Sequence, residues 1–277
     1  YIVTFTLLNL VAAVTISQIR YSRRFDLIKA GFIISGAGLL IVLAIYVLEK
    51  CLIDVNNVLI LKNSAFILLN GIVSSMIALG TLPLFESSFK IITPYGLAEL
   101  ADHNQPLLKR LQFEAPGTYH HSLMVSNLCE AAAEAIGANP ILARVGAFYH
   151  DIGKLKRPLF FVENQSYFGI ENPHKKLNPR LSKMVITAHP KDGVELAKEY
   201  GLPAVINNFI LQHHGEGLAS YFYNQAVQEE GIENVKEEQF RYTGPKPNMK
   251  ETAILMIADA VESAVRSLKN PTSEEIE

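Results

Sequence analysis

The sequence contains very little cysteine, with only Cys51 and Cys129 among its 277 residues. They lie far apart and form no C-x-x-C pair, which excludes a disulfide scaffold and a zinc ribbon and favours a reducing compartment for the globular part. The chain also has no large excess of positive or negative charge, because 25 basic and 27 acidic residues leave a formal net charge of −2. This balance argues against a protein that coats duplex nucleic acid.

Alternating β-branched patterns, which are typical of strands, are absent as well. Helical periodicity is present instead, and we expect an all-α fold. The stretches that carry it after the first third of the chain are 118–136, 140–154, 180–200, 204–214 and 250–268.

The first third of the chain lacks charge almost completely. Residues 1–19 and 30–48 contain no charged side chain, and 58–85 contains only Lys62. Each run reaches the ~20 apolar residues that a helix needs to cross a bilayer. Soluble core helices nearly always carry a polar stripe, so we expect region 1–85 to hold three transmembrane helices at about these positions.

The rest of the chain is expected on the cytosolic side of the membrane. The loop after the first span is rich in cations, which remain inside the cell by the positive-inside rule; they are Arg20, Arg23, Arg24 and Lys29. Prolines break residues 86–117 into short amphipathic helices, which predicts a juxtamembrane helical connector before a globular domain at 118–277. Because the chain starts at Tyr1 inside an apolar run, we expect it to be the C-terminal portion of a longer protein.

Histidines and aspartates interrupt the apolar helical stretches of the globular domain. Their burial together is costly unless they bind something, and mixed His/Asp ligation without thiolate suits iron, manganese or zinc. Seven ligands exceed the needs of one metal ion but fit two that share a carboxylate, a device for in-line attack on phosphorus. The seven residues are His121, His150, Asp151, His189, His213, His214 and Asp259. We expect His103, His120 and His174 to lie outside this set.

The motifs around these residues resemble a known family. "PGTYHHSLMV", "HDIGK", "HP-K-DG", "HHGE" and "ADAVES", together with the connector "LAELADHNQPLLKRLQFEA", are similar to those of the HD-domain phosphohydrolases. With the three spans, the chain more closely resembles the bacterial seven-transmembrane HD family of membrane-bound cyclic-di-AMP phosphodiesterases. The resemblance implies that the spans are the last three of the family's membrane region, that 118–277 is an HD domain, and that an extracellular sensor domain lies upstream.

The resemblance also implies a division of the ligands between two metal ions, iron or manganese. His121, His150 and Asp259 would bind one ion, His189, His213 and His214 the other, and Asp151 would bridge them. Hydroxide activated by the metals would attack cyclic-di-AMP and release linear pApA. Asp151 and Lys154 are the expected catalytic residues, since Lys154 lies one helical turn beyond the His-Asp pair, although a surface lysine is the simpler alternative.

Other functions of the same fold stay open. The alternatives are an HD-domain ribonuclease, another nucleotide phosphohydrolase and a catalytically silent nucleotide-binding receptor. Degenerate ligands would mark a silent receptor, and all seven ligands are intact here. The GYP signature of cyclic-di-GMP enzymes is missing after the paired histidines. We expect segment 157–179 to form a lid beside the metals, with aromatic residues for stacking and with Lys175, Lys176 and Arg180 for phosphate. A homodimer is a further possibility.

Overall fold

The computed structural model describes residues 2–18, 25–52, 57–89 and 91–268. All regular structure in these ranges is helical, apart from one isolated bridge between Leu218 and Arg241. The prediction of an all-α fold is therefore confirmed. The chain divides into two compact units, Tyr1–Ala98 and Glu99–Glu277.

The first unit consists mainly of three apolar helices. They are α1 (Ile2–Gln18), α2 (Phe25–Leu52) and α3 (Asn57–Phe89), followed by the short helix α4 (Pro94–Leu100). Helices α2 and α3 are long and apolar enough to cross a membrane, and α1 is a shorter apolar helix. Arg20, Arg23 and Arg24, on which the predicted orientation depends, lie outside the described residues.

Small residues allow α2 and α3 to pack closely. A methyl group on Gly31 would lie 2.6 Å from the carbonyl oxygen of Gly71, and one on Gly71 would overlap the hydroxyl of Ser35. The Ser35 hydroxyl donates a hydrogen bond to the carbonyl oxygen of Leu68 at 3.1 Å. Such contacts between small residues are typical of helices that associate in lipid.

The second unit is a bundle of shorter helices. They are α5 (Pro106–Glu114), α6 (Pro116–Ala135), α7 (Pro140–Tyr149), α8 (Val162–Phe168), α9 (Pro179–Thr187), α10 (His189–Glu199), α11 (Ala204–Gln212), α12 (Ser220–Glu230) and α13 (Lys250–Ser267). Helices α6, α7, α11 and α13 enclose a core that includes Val125, Cys129, Ala147, Phe209 and Leu255. Burial of these apolar faces positions the polar residues described below.

Two predicted helices have different limits in the structure. The one expected over 140–154 ends at Tyr149, and a 3₁₀ turn (Ile152–Lys156) follows the His-Asp pair. The one expected over 180–200 is two helices, α9 and α10, that meet at Ala188. Pro190 accounts for the second difference, because proline in a helix interior removes a hydrogen bond and clashes with the preceding turn.

Candidate metal centre

Seven polar side chains from five helical regions meet in the second unit. They come from α6 (His121), the end of α7 (His150, Asp151), the start of α10 (His189), the end of α11 (His213, His214) and the middle of α13 (Asp259). Six of them are buried, whereas the side chain of His214 is 28% exposed. These are the seven residues predicted as ligands, and we call them the His/Asp cluster.

Asp151 lies at the middle of the His/Asp cluster. Its Oδ2 is 3.3 Å from Nε2 of His150 and 3.7 Å from Nε2 of His121. Its Oδ1 is 3.2 Å from Nε2 of His189 and 3.6 Å from Nε2 of His213. One carboxylate therefore faces two separate groups of histidines, as a bridging ligand would.

The remaining ligands form one triad on each side of Asp151. One triad is His121, His150 and Asp259, the other is His189, His213 and His214, and the ligand atoms within each lie within 4.8 Å of one another. Nε2 of His121 is 3.0 Å from Oδ1 of Asp259. This grouping is consistent with the division of ligands that the family resemblance implies. A third group with the same spacing, His150, Asp151 and His213, joins the two triads at the middle of the cluster.

The backbone orients three of the imidazole rings. In each, Nδ1–H donates to a carbonyl oxygen three residues earlier, so Nε2 of the neutral ring keeps a lone pair directed at the cluster. The pairs are His150 with Ala147 (2.6 Å), His189 with Ile186 (2.7 Å) and His213 with Ile210 (2.8 Å). The Nε2 atoms of His189 and His213 then face each other at 3.1 Å. Two lone pairs at this separation fit a shared cation that lies beside the line joining the two nitrogens, since metal–imidazole bonds are ~2.0–2.1 Å long.

Two buried atoms of the cluster without hydrogen-bond partners give a second reason to expect divalent metal ions here. His150 Nε2 and Asp151 Oδ1 are buried and have no hydrogen-bond partner. Buried polar atoms without a partner are costly in free energy, and ligation by a cation removes that cost. Imidazole with carboxylate, without thiolate, suits first-row divalent ions.

The pKa of one histidine in each triad is shifted, and the two shifts have opposite directions. Burial lowers the pKa of His121, but the carboxylates of Asp259 and Glu262 outweigh it and raise the pKa to about 9. Burial, together with the neighbouring His189, lowers the pKa of His214 to about 3. Burial raises the pKa of Asp151, yet the Lys154 ammonium and His150 hold it well below its ordinary value. Asp151 is therefore an anion at neutral pH, and the imidazole of His214 is neutral.

Lys154 is largely enclosed beside the cluster, with 12% of its side chain exposed, and is not a surface lysine. Its Nζ lies 2.6 Å from Oδ2 of Asp151 and 2.8 Å from Oε1 of Glu163. Burial lowers the pKa of Lys154, but these two carboxylates raise it above its ordinary value. Glu163 was not found from the sequence, because no helical spacing connects it with Lys154 across the irregular segment between them.

Segment 157–179, the predicted lid, is partly built into the unit. The Asn164 side chain is buried, accepts a hydrogen bond from the backbone N–H of Thr118 at 3.0 Å and donates to its hydroxyl at 2.9 Å. Phe161 is buried beside His189, whereas the rings of Tyr167 and Phe168 are exposed.

Two of the three residues predicted to bind phosphate have other partners. Lys175 pairs with Glu171, and Arg180 pairs with Glu230. Motion of the segment as a lid stays a prediction.

Two further side chains contact the cluster from outside the predicted set. Oε2 of Glu262 lies 2.5 Å from Nδ1 of His121. The ring of Tyr242 packs on His214, with centroids 4.2 Å apart. The spacing of one helical turn on α13 connects Glu262 with Asp259 in the sequence. Nothing in the sequence around Tyr242 connects that residue with the cluster.

The three histidines expected outside the set are indeed elsewhere. His103 contacts Phe148 and Tyr119, and the imidazole of His174 is hydrogen-bonded to the carbonyl oxygen of Phe160. His120 is exposed on α6, beside Tyr167.

Two protein families match the chain. The HD domain matches residues 118–264, and the family described as "7TM receptor with intracellular HD hydrolase" matches residues 1–93. Together with the apolar helices of the first unit, the second match identifies a membrane protein. The resemblance inferred from the motifs is confirmed.

Two relatives in other bacteria match almost the whole chain. It is 42% identical over 261 residues to cyclic-di-AMP phosphodiesterase PgpH of Bacillus subtilis, covering 93% of this chain and 35% of that protein. For PgpH of Listeria monocytogenes the identity is 46% over 256 residues, with 92% and 35% covered. The chain therefore spans about a third of the length of these relatives.

A solved structure also matches the second unit. The crystal structure of the L. monocytogenes PgpH HD domain in complex with cyclic-di-AMP has a TM-score of 0.59 and 54% sequence identity, covering 64% of this chain and 80% of that one. A more distant likeness, 29% over 124 residues, is to ribonuclease Y of Streptococcus sanguinis, covering 44% of this chain and 18% of that protein.

Proposed function

The chain belongs to the HD domain family, and on that premise we propose that it is a metal-dependent phosphodiesterase that hydrolyses cyclic-di-AMP to linear pApA. The observation that carries the proposal is the carboxylate of Asp151, whose two oxygens face two different histidine groups. The choice of substrate is supported by the relatives named cyclic-di-AMP phosphodiesterase and by the related HD domain that binds this dinucleotide.

The His/Asp cluster would hold two divalent cations. His121, His150 and Asp259 would bind one ion together with Oδ2 of Asp151. His189, His213 and His214 would bind the other together with Oδ1. Iron or manganese suits these donors. When bound, such a pair supplies activation of water and neutralisation of charge at the phosphorus.

Lys154 is the cation that the chain itself contributes. Its contacts with Asp151 and Glu163 keep the ammonium group protonated and fix its position. An ammonium group held at this point can donate a hydrogen bond to a phosphodiester oxygen and stabilise the charge that develops there. Glu163 and the Thr118 hydroxyl that donates to it at 3.1 Å hold Lys154 in place.

The open side of the cluster determines how a substrate reaches it. His214 and Asp259 are its most exposed members, with 28% and 11% of their side chains accessible. Burial raises the pKa of Tyr242, which packs on His214 and therefore stays a neutral phenol. The hydroxyl of Tyr242 can thus act as a hydrogen-bond donor at the edge of the site.

We further infer a multi-pass membrane protein with a cytosolic HD domain. The match of residues 1–93 to a receptor family, the apolar helices and the cationic loop of the sequence support this arrangement. An upstream extracellular sensor domain is consistent with the greater length of the relatives and is part of the proposal. A homodimer is part of the proposal from the family resemblance alone.

The test uses the whole chain in detergent micelles. The protein is stripped of metal, reloaded with Fe²⁺ without oxygen or with Mn²⁺, and incubated separately with cyclic-di-AMP, cyclic-di-GMP and a short RNA. We expect metal-dependent release of pApA that Asp151→Asn abolishes. Cleavage of RNA alone would favour the ribonuclease alternative, which the likeness to ribonuclease Y makes the main competitor. Metal binding without any turnover would favour a silent receptor.

A further inference from the structure

Tyr149 directly precedes the His-Asp pair of the cluster but is not one of the seven ligands. Its side chain is fully buried, and its hydroxyl donates a hydrogen bond to the carbonyl oxygen of Leu100 at 2.9 Å. Buried tyrosine hydroxyls usually have such a partner. In this case the bond joins the end of α7 to a part of the chain 49 residues earlier.

The carbonyl group of Leu100 is available for this bond because α4 ends there. The last four carbonyl groups of a helix have no partner within the helix, and the Tyr149 hydroxyl occupies one of them. Burial, together with the charge of Asp102, raises the pKa of Tyr149 above its ordinary value. The phenol therefore stays protonated at neutral pH and can donate this hydrogen bond.

Leu100 belongs to a turn that its own hydrogen bonds hold in shape. The carbonyl oxygen of Glu99 accepts from the backbone N–H of Asp102 at 3.2 Å and from Nε2 of Gln105 at 2.9 Å. Oδ1 of Asp102 accepts from the backbone N–H of Asn104 at 2.9 Å. We call residues 99–105 the anchor turn. These bonds make it a fixed support for the end of α7.

A histidine of the anchor turn makes a second contact with the same end of α7. The rings of His103 and Phe148 meet edge to face, with 5.2 Å between the centroids and 72° between the planes. Nδ1 of His103 also lies 3.1 Å from the hydroxyl oxygen of Tyr119, two residues before His121 on α6. The anchor turn therefore contacts residues next to metal ligands on two helices.

The His-Asp pair lies at a point where the backbone has little helical support of its own. Helix α7 ends at Tyr149, and the following 3₁₀ turn begins at Ile152. Residues at the end of a helix fray unless other contacts hold them. A tertiary contact at Tyr149 is thus well placed to fix His150 and Asp151, which must meet four other ligand side chains at the middle of the cluster.

We propose that Tyr149 is a positioning residue of the metal centre. Its bond to Leu100, with the contact between His103 and Phe148, holds the end of α7 so that His150 and Asp151 keep the arrangement that metal binding requires. This inference rests on the metal binding of the proposed function and not on its substrate. Since the anchor turn directly follows the first unit along the chain, displacement of the turn would change the affinity for metal.

Mn²⁺ affinity of the folded protein tests the proposal without any turnover. The whole chain in micelles is stripped of metal, and competition with a chromophoric chelator gives Kd for the wild type and for Tyr149→Phe. This substitution keeps the buried ring and removes only the hydroxyl. We expect Kd to rise about fivefold, the effect of one lost hydrogen bond. A bond that served stability alone would lower the resistance to urea and leave the Mn²⁺ affinity of the folded chain unchanged.

Tyr200→Phe is the matched control. The Tyr200 hydroxyl accepts a hydrogen bond from Arg110 at 3.0 Å and joins the end of α10 to α5, 90 residues away. It is therefore also a tyrosine hydroxyl in a long-range bond, but it lies at the end of α10 remote from His189. We expect Tyr200→Phe to bind Mn²⁺ like the wild type.

Two variants of the exposed His103 test the anchor turn without changing the core. His103→Ala removes the ring that packs on Phe148, and we expect Mn²⁺ affinity to fall about threefold. His103→Phe retains an aromatic ring at this position and should restore the affinity of the wild type. Wild-type Kd in both Tyr149→Phe and His103→Ala would overturn the proposal, and so would an equal loss of affinity in Tyr200→Phe.

The results separate this inference from the proposed function. A wild type that binds Mn²⁺, with variants that bind it equally well, would overturn the positioning role and keep the metal centre. Affinity that falls as expected, in a loaded protein that never cleaves cyclic-di-AMP, would overturn the proposed hydrolysis and keep the positioning role. A wild type that binds no Mn²⁺ would overturn both the metal centre and the role of Tyr149.

Discussion

Oε2 of Glu262 lies 2.5 Å from Nδ1 of His121, while Nε2 of the same ring is 3.0 Å from Oδ1 of Asp259. A carboxylate on the outer nitrogen of a metal-ligating histidine fixes the orientation of the ring and raises its basicity. Glu262 is therefore a positioning residue that acts on the metal through His121.

We expect Glu262→Gln to weaken Mn²⁺ binding about 10- to 100-fold, which is the usual loss when such an outer partner is removed. Competition with a chromophoric chelator measures the affinity. Glu230→Gln is the control, since Glu230 pairs with Arg180 as Glu262 pairs with Arg266. Equal Mn²⁺ affinity in Glu262→Gln and the wild type would show that the contact has no such role.

Replacement of Lys154 by methionine should slow the reaction without removing the metals. The substitution takes away a donor aimed at the developing charge, so we expect kcat to fall about 100-fold. Asp151 and Glu163 would also be left as buried charges without their cation, which should destabilise the metal-free protein by about 3 kcal/mol. Steady-state kinetics and urea unfolding measure the two effects.

The control for this substitution is Lys154→Arg, which retains the charge. It should recover most of the stability but not all of the rate, since the larger guanidinium changes the position of the donors. A kcat for Lys154→Met within threefold of the wild type would remove Lys154 from the mechanism.

Gly153 allows the turn after the His-Asp pair to press against α10. A methyl group there would overlap the carbonyl oxygen of His189 and crowd the backbone nitrogen of Gly193. We expect Gly153→Ala to cost about 1–3 kcal/mol through overpacking and to displace His189 from Asp151. Urea unfolding and the number of Mn²⁺ ions per chain report the two effects.

Gly36→Ala is the control, because a methyl group at Gly36 meets no atom within 4 Å. Unchanged stability and stoichiometry in Gly153→Ala would contradict this packing role.

Much of the cluster could be predicted from the sequence because its residues carry an unusual chemistry. Imidazoles and carboxylates inside apolar helical stretches, such as His150 and Asp151 in "GAFYHDIGK", are too costly to bury without a ligand. The helices that form the core also have clear periodicity, and α6, α11 and α13 begin and end within a few residues of the prediction.

Residues whose contacts with the cluster are made only across large separations in the sequence could not be predicted in this way. Glu163 and Tyr242 lie in segments without periodicity and reach the cluster through the tertiary fold alone. The predicted helix over 180–200 failed for a different reason. Pro190 lies in the first turn of α10, and a proline at that position is a signal of a helix start that the apolar periodicity does not reveal.

The protonation of His121 makes metal binding depend on pH. In the metal-free protein Asp259 and Glu262 raise the pKa of His121 to about 9 against the effect of burial. Below that pH, Nε2 carries a proton that a cation must displace. The affinity of the His121 triad for Mn²⁺ should therefore increase about tenfold per pH unit between pH 6.5 and 8.5 and level off above pH 9.

Calorimetry in two buffers of different ionisation enthalpy measures this proton directly. At pH 7.5 we expect about one proton released for each Mn²⁺ bound at the His121 triad. Glu262→Gln removes one of the two carboxylates that hold the proton on the ring, so it should release a smaller fraction of a proton at the same pH. His214 of the second triad provides an internal control. With a pKa of about 3, its imidazole is already neutral and releases no proton. Mn²⁺ affinity that does not change between pH 6.5 and 8.5 would mean that the metal does not take Nε2 of His121, and the division of ligands about Asp151 would have to be redrawn.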